Sequence, residues 1–288
     1  MYGFLLKKSF CDGWDNLLLV LITNLITLFW MIGGIILIST APALFGIEIS
    51  LENINETVTD FPPLLLLIQC VLFMILCIGI SIMRFAFGEL AAKITDFDGV
   101  HIVDLFKAIP GVLKDAVLHG LLCSIGIIVF SFSFEFYLVQ GDSIIAFLAG
   151  AFLFWIAVMF VLALQWFIPL RCNMHNNFRK CFKKCFIIFF DNTGFSILVG
   201  IHTLIMLALS VFLLFFMPSL AGISINKANA LRLRLYKYDY LEKHPELTTK
   251  RDRKEIPWDE LIQEDRDTLG PRKLRSFLFP WKDIENQQ

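Results

Sequence analysis

The chain has 288 residues, of which 57% are hydrophobic and 14% aromatic, whereas only 18% carry a charge. Soluble domains contain about 25% charged residues. The apolar residues also come in long runs rather than in amphipathic patterns, which is typical of an integral membrane protein. The formal net charge of −1 gives no electrostatic reason to bind nucleic acid. The composition therefore predicts an all-α, polytopic membrane protein with no nucleic-acid partner.

The amino-terminal half begins with an amphipathic segment and continues with three candidate spans. Residues 1–16 mix large apolar side chains with lysines and aspartates, so we expect them to lie at the membrane interface. Apolar runs then predict spans at 17–39, 63–83 and 116–139. At about 1.5 Å per helical residue, each run can cross a hydrocarbon core of about 30 Å.

The segment between the second and third spans has mixed polarity. Arg84 is expected to end the second span. A short amphipathic helix then follows, and Pro110 is expected to stop it because proline breaks helix interiors. Its apolar face would consist of Ile102, Leu105, Phe106 and Ile109. This helix is expected to lie on the membrane surface.

The carboxyl-terminal half holds two further spans, predicted at 143–170 and 194–217. Trp166, near the end of the fourth span, suits the aromatic belt of a membrane interface. The membrane domain is expected to cover residues 1–236, and a charged soluble tail follows at 237–288.

The distribution of basic residues predicts which side of the protein is cytoplasmic. Segments 1–16, 84–115 and 171–192 hold 2, 4 and 5 Lys or Arg, whereas segments 40–62 and 140–142 hold none. Short loops rich in Lys and Arg stay in the cytoplasm. We therefore place the amino terminus in the cytoplasm.

The tail decides between five and six crossings. Residues 219–288 carry 14 Lys or Arg, which favours a cytoplasmic tail and hence a short sixth crossing at 218–236. Such a crossing would have to bury its polar side chains against protein, because they are costly in lipid. These side chains are Asn226, Lys227 and Asn229. Six crossings are preferred, and five remain the alternative.

Residues 171–192 predict an amphipathic helix with an apolar stripe and a basic face. Cys181 and Cys185 belong to the stripe, and we interpret them as packing residues rather than metal ligands. Basic side chains near an anionic surface contribute about 1 kcal/mol each. The candidates for contact with lipid or a partner are Arg171, Arg179, Lys180, Lys183 and Lys184. Leu274–Lys282 in the tail is likewise basic and aromatic.

Polar side chains inside the predicted spans form a second group of candidates, namely Asn24, His119, Glu135 and His202. Intramembrane polar residues often belong to functional sites, although a buried amide such as that of Asn24 commonly hydrogen-bonds a neighbouring helix. His119 and Glu135 would lie near opposite faces of the membrane and cannot pair. The usual motifs of nucleotide binding, zinc proteolysis and serine hydrolysis do not occur. We therefore expect no catalytic residue, cofactor or metal.

Several short segments share the order and local pattern of one bacterial family. Asn24–Trp30 (NLITLFW) lies in the first span, Asp104–Lys107 (DLFK) in the amphipathic helix, and Phe167–Leu170 (FIPL) just before the basic segment. Together with Ala41–Ala43, Asn176–Asn177, Asn192 and Pro218, these segments resemble the YesL family of polytopic membrane proteins, whose biochemical function is unassigned. The resemblance covers residues 10–236, whereas the acidic stretch 47–61 and the tail depart from the family pattern.

The resemblance implies a helical protein of the bacterial cytoplasmic membrane. Members of this family are often encoded near carbohydrate ABC transporters, which suggests a role in carbohydrate uptake or utilisation. We therefore expect a non-enzymatic accessory or regulatory component of solute transport, with membrane lipids and ABC transporter subunits as partners. Two alternatives stay open. One is a self-contained transporter or channel that uses His119, Glu135 or His202. The other is a lipid-binding envelope scaffold that uses the basic helices.

Overall fold

The computed structural model describes residues 1–44, 63–139, 141, 143–246, 256–270 and 272. Every regular element in these ranges is a helix. In chain order the helices are α1 (Tyr2–Asp15), α2 (Leu17–Leu44), α3 (Pro63–Thr95), α4 (Ile102–Phe134, continued by a π-helical turn Glu135–Val139), α5 (Ile144–Leu164), α6 (Phe167–Met174), α7 (Phe178–Asp191), α8 (Thr193–Phe212), α9 (Ser219–Lys243), α10 (Trp258–Leu261) and α11 (Gln263–Leu269).

Five helical stretches in the described ranges are long and apolar enough to cross a membrane. They are formed by α2, α3, α4 with its π-helical turn, α5 together with α6, and α8. The protein is therefore an all-α, polytopic membrane protein, as its composition predicts. The acidic segment 45–62 and the basic, aromatic segment Leu274–Lys282 lie outside the described residues.

Two helices continue past the residues that were expected to end them. α3 extends beyond Arg84 to Thr95, and α4 includes Pro110 in its interior. The expectation that Pro110 stops the helix is wrong. A proline in a helix interior costs about 3 kcal/mol, and the close packing of α4 along α3 offsets this cost. A Cβ on Gly120 of α4 would lie only 2.7 Å from the Cα of Ile78 in α3, so the two backbones touch there.

α2 also packs closely on α3, through a tryptophan that covers a glycine. A Cβ on Gly79 of α3 would fall 2.2 Å from the ring of Trp30 in α2. The Trp30 indole Nε1 donates a hydrogen bond to the carbonyl of Leu76 at 3.1 Å. This hydrogen bond and the packing of the ring over Gly79 together fix the rotation of α2 against α3.

The predicted amphipathic helix of the 171–192 segment is divided. α6 ends at Met174, His175 adopts a left-handed conformation with φ of 48°, and α7 begins at Phe178. The prediction of one amphipathic helix across residues 174–178 is therefore wrong. A single left-handed residue redirects the chain and closes α6, because the His175 N–H still bonds the Arg171 carbonyl at 2.9 Å.

Trp166, expected at the membrane interface, is instead fully buried. It lies in the turn between α5 and α6, and its ring stacks on Phe195 with centroids 6.1 Å apart. Its indole N–H donates to the hydroxyl of Ser196 in α8 at 3.0 Å. A hydroxyl within the bundle thus replaces the water or headgroup that an interfacial indole would bond.

α9 runs antiparallel to α8 and packs along the whole length of α8. Near the end of α8, the Ser210 hydroxyl accepts a hydrogen bond from the Ser219 N–H at 2.8 Å. At the other end, Arg234 donates to the side chain of Asn192, just before α8, at 3.1 Å. α9 therefore returns the chain to the side of the bundle on which α8 begins.

The same side gathers the ends of several other elements. Arg232 of α9 binds Asp265 of the tail at 3.0 Å and also pairs with Asp96 in the turn between α3 and α4. Arg272 of the tail pairs with Asp15 of α1 at 2.5 Å. The amino-terminal helix, the α3–α4 turn and the described part of the tail therefore meet on one side of the bundle.

Candidate functional site

α9 is polar and yet lies at the centre of the bundle. It packs against α1, α2, α3, α6 and α8. Its buried side chains include Asn226, Lys227, Asn229 and Arg234. Burying a polar group is costly unless it finds a partner, so the contacts of these side chains decide what the centre of the bundle can do.

One partner of α9 is α1, which contributes a buried ion pair. Lys8 and Asp12 lie 3.3 Å apart, and both are almost fully buried. Asn229 donates to the Asp12 carboxylate at 2.8 Å, and Ser9 donates to Asn226 at 3.3 Å. Burial raises the pKa of Asp12 and lowers the pKa of Lys8, while the charge of each partner opposes the shift of the other. This seam holds the amino-terminal helix against α9.

Asn24 anchors the chain reversal that precedes α9. The side chain is buried in α2, and its amide donates to the carbonyls of Phe216 at 2.9 Å and Pro218 at 3.2 Å. Its oxygen accepts from the N–H of Ala221 at 3.0 Å. All its polar atoms are engaged by backbone at the start of α9, so the contacts of Asn24 are structural.

His119 is the centre of a polar and aromatic node between α3, α4 and α6. It is 3% exposed, and its Nδ1 lies 3.1 Å from the Ser81 hydroxyl. Its Nε2 lies 3.7 Å from the Cys123 sulfur. The rings of Phe85 and Phe167 lie 5.3 and 5.2 Å from the imidazole centroid. Both ring nitrogens thus already have neighbours within the protein.

Two further cations, Arg84 of α3 and Lys227 of α9, adjoin this node. The charge of Arg84 acts on Lys227, and both charges act on His119. Lys227 is only 8% exposed, and Arg84 is partly exposed. Neither forms a hydrogen bond or an ion pair with any described residue, and no described carboxylate acts on either charge. The structure therefore contains a cationic pair that lacks a counter-charge among the residues it describes.

The sequence draws attention to both cations, but it does not predict that they belong to the same part of the bundle. Arg84 was expected to end a span, and Lys227 was noted as a cost of the sixth crossing. Their signal in the sequence is a charge inside a helical segment of low charge density. The juxtaposition itself follows from the packing of α9 on α3, which lie far apart in the chain.

The structure does not gather the other predicted intramembrane residues into one site. His202 is partly buried on α8, and its ring lies edge-on to that of Tyr2, with the ring centroids 6.4 Å apart. Glu135 is exposed in the π-helical turn after α4. It lies about 24 Å along the helix from His119, at about 1.5 Å per residue. Glu135 therefore does not join His119 or His202.

The basic face of α7, defined by Arg179, Lys180, Lys183 and Lys184, points away from the bundle. Its first three members are exposed and make no ion pair with a described residue. Lys184 is partly exposed, and its ammonium lies 3.2 Å from the Met174 sulfur. The structure thus holds four of the five predicted contact residues on one short helix.

Arg171, the fifth predicted contact residue, belongs to a different environment. It lies on α6, and its Nε donates to the Asp115 carboxylate of α4 at 2.5 Å. A second nitrogen lies 3.4 Å from His175 Nδ1. This ion pair ties α6 to α4, so Arg171 is not part of the basic face of α7.

The apolar side of α7 anchors that helix in the core. Cys181, Cys185, Ile188 and Phe189 are buried there. Burial raises the pKa of both thiols, which therefore remain protonated and pack as small apolar groups. Among the described residues, no group of three or more His, Cys, Asp or Glu side chains could hold a metal ion.

We find no family model that matches the sequence, and no similar curated protein or solved structure. Two features of the molecule therefore bear on its function. These are the exposed basic face of α7 and the two cations Arg84 and Lys227, of which Lys227 is buried.

Proposed function

We propose that this protein is a non-enzymatic accessory or regulatory component of solute transport in the bacterial cytoplasmic membrane. It docks its partner through the basic face of α7. The observation that carries the proposal is the exposure of Arg179, Lys180 and Lys183 without an acidic partner among the described residues.

Some basic residues on the same side of the bundle form ion pairs within the fold. Lys8 pairs with Asp12, and Lys237 pairs with Asp191 at 2.9 Å. The basic face of α7 differs because it groups three exposed cations on one short helix, and these cations form no ion pair with a described residue. A rigid helix that displays several unpaired cations favours recognition of a complementary acidic surface.

The orientation belongs to the same proposal, with α9 as a sixth crossing and with the amino terminus and tail in the cytoplasm. The antiparallel packing of α8 and α9 supports it, since α9 returns the chain to the side on which α8 begins. The burial of Asn226, Lys227 and Asn229 meets the requirement of a polar crossing. The excess of Lys and Arg in these segments supports a cytoplasmic location.

The class of solute is proposed from the resemblance to the YesL family. That resemblance favours carbohydrate uptake and ABC transporter subunits as partners. The α7 segment follows directly on Phe167–Leu170 and Asn176–Asn177, which carry the best-marked part of the resemblance. The proposed docking surface therefore lies where the family pattern is densest.

Quantitative co-purification tests the docking surface. Full-length tagged protein is purified in mild detergent, and bound proteins are measured by mass spectrometry. The test variant replaces the four residues of the basic face of α7 with Gln. The control replaces four exposed lysines elsewhere with Gln and so changes the net charge equally: Lys7, Lys93, Lys107 and Lys114.

We expect the wild-type protein to recover ABC transporter subunits. At about 1 kcal/mol per cation, removal of the basic face should lower that recovery at least about tenfold, and the control variant should retain it. Recovery of no transporter subunit by the wild-type protein, or equal loss in both variants, would contradict the proposal. Loss of bound anionic phospholipid in the test variant alone would support the lipid-binding scaffold instead.

A self-contained transporter is the second candidate, and the buried Lys227 together with the partly exposed Arg84 favours it. Solute flux into proteoliposomes that contain only the purified protein would support this candidate. The same result would reject a purely accessory role.

A further inference from the structure

We propose that Arg84 and Lys227 form a binding site for an oxyanion, a phosphate or carboxylate group, within the membrane domain. The site lies where α9 packs on α3, beside the His119 node. It does not depend on the accessory role, because it uses the buried centre of the bundle rather than the basic face of α7.

The first argument is the contrast between Lys227 and the other buried cations of this protein. Lys8 is 2% exposed and has Asp12 at 3.3 Å. Arg234 is 5% exposed, donates to Asn192 and lies 3.8 Å from the centroid of the Phe195 ring. Lys227 is buried to a similar degree, yet it lacks a hydrogen bond, ion pair or ring contact with any described residue.

The second argument is energetic. An isolated ion away from water loses several kcal/mol of solvation unless it is paired. Here two cations also repel each other. A lysine can lose its proton, but an arginine remains charged in proteins. Deprotonation of Lys227 would therefore still leave Arg84 without a counter-charge among the described residues, whereas one bound oxyanion compensates both cations.

The third argument concerns the chemistry of the ligand. A guanidinium presents a planar fork that matches the two oxygens of a carboxylate or phosphate, and an ammonium adds a compact charge with three donors. The nearby imidazole of His119 is already engaged with Ser81 and packed between aromatic rings. His119 therefore forms a wall beside the site, and the two cations supply its charge.

Thermal unfolding of the full-length protein in nanodiscs tests this site and identifies the source of the oxyanion. In the first arm, phosphatidylcholine nanodiscs are titrated with inorganic phosphate. In the second arm, the nanodiscs contain phosphatidylglycerol and no phosphate. Each arm uses the wild-type protein, Lys227→Met, Arg84→Gln and the control Lys93→Gln, which removes an exposed cation from the same helix as Arg84.

We expect an anion-dependent rise in the Tm of the wild-type protein. Saturation with phosphate in the first arm identifies a free oxyanion as ligand, and a rise only in the second arm identifies a lipid headgroup. Lys227→Met and Arg84→Gln should weaken the apparent affinity at least tenfold, and Lys93→Gln should leave it unchanged. No rise in either arm, or an equal rise in Lys227→Met and the wild type, would overturn the proposal.

The stability of Lys227→Met without anion provides an independent readout. Because the substitution removes a buried charge and leaves no carboxylate of the described residues without its cation, this variant should unfold at the same temperature as the wild type or above it. A lower Tm, or failure to fold, would show that Lys227 already has a stabilising partner in the protein, and would overturn the proposal. Lys227→Arg keeps the charge and should keep the anion-dependent rise.

Discussion

α5 and α9 belong to one bundle, but their polarity and their burial are reversed. α5 is apolar throughout, and only Gly150 and Ala163 are buried in it. Phe152 and Trp155 of α5 are 69% and 67% exposed. α9, in contrast, buries two asparagines, a lysine and an arginine at the centre of the bundle.

The difference follows from the membrane as solvent. Lipid tails are as apolar as leucine, so an apolar helix gains little when it exchanges lipid for protein. A polar helix gains the hydrogen bonds and counter-charges that lipid does not offer. The polar contacts of α9, rather than the apolar surface of α5, therefore specify how the helices are arranged. Four substitutions test this comparison.

The largest effect is expected where the buried ion pair of α1, which lies against α9, is broken. Lys8→Met leaves the Asp12 carboxylate buried without its cation, which should lower the free energy of unfolding by about 3–5 kcal/mol. Denaturant titration in detergent micelles measures the loss. The double variant Lys8→Met, Asp12→Asn should recover most of it, because the new amide oxygen can still accept from Asn229. Equal losses in the single and double variants would show that charge burial is not the cause.

The next effect is expected at the start of α9. Asn24→Leu removes two hydrogen bonds to backbone carbonyls and one from the Ala221 N–H. Since each orphaned buried group costs about 1–3 kcal/mol, we expect a loss of about 3 kcal/mol in the same titration. Thr27→Val on the same helix is the matched control, because the Thr27 hydroxyl bonds only the carbonyl of Thr23. A loss in the control as large as in Asn24→Leu would contradict the proposed anchoring.

A smaller, pH-dependent effect is expected at the end of α7, where Asp191 meets α9. Burial raises the pKa of the Asp191 carboxyl, but hydrogen bonds from Lys237 and Tyr238, each at 2.9 Å, outweigh burial and hold this pKa below its usual value. A carboxyl with a lowered folded-state pKa stabilises the protein above its unfolded pKa of about 3.9. That contribution is lost as the pH falls through the folded pKa.

Thermal unfolding between pH 7 and pH 3 measures this contribution. Asp191→Asn should lower stability at pH 7 by at most about 1 kcal/mol, because the carboxylate is partly exposed. It should also reduce the further loss below pH about 4. Asp259 forms an exposed ion pair with Arg266, so Asp259→Asn is the control. It should change neither the stability at pH 7 nor the loss of stability below pH about 4. If Asp191→Asn loses as much stability below pH about 4 as the wild type does, other carboxylates are responsible for that loss.

The smallest effect is expected on α5. Phe152→Ala removes a large apolar side chain that is 69% exposed, and it should change the free energy of unfolding by less than about 0.5 kcal/mol. A loss above about 2 kcal/mol would break the comparison, because it would show that this face of α5 is covered by a second copy or by a partner rather than by lipid.

α4 shows that a local sequence pattern does not always predict where a helix ends. A surface helix that stops at Pro110 and a separate span at 116–139 were expected, whereas the structure has one helix from Ile102 to Phe134. The propensity of proline is a local penalty of about 3 kcal/mol. The compensating contact of Gly120 with Ile78 links α4 to a different helix, and a single stretch of sequence does not contain it.

The candidate contact residues also show which features local sequence predicts and which depend on distant contacts. The basic face of α7 is visible in the sequence because its cations repeat within one short helix. Arg171 has the same spacing, yet it pairs with Asp115, 56 residues earlier in the chain. Local spacing therefore predicts which side chains share a helical face. It does not predict which of them will form an ion pair with a carboxylate from a distant part of the chain.

The sequence by itself determined that this chain is an all-α membrane protein. It also determined, to within one residue, where four of the five long apolar helices in the described ranges begin, because hydrophobic length is a property of consecutive residues. Tertiary structure alone decided that polar α9 lies at the centre and that it packs on α3, the helix that carries Arg84. The reason is that lipid and neighbouring helices are almost equally apolar. Hydrophobicity therefore places a helix in the membrane, and only the pairing of distant polar groups determines which faces meet.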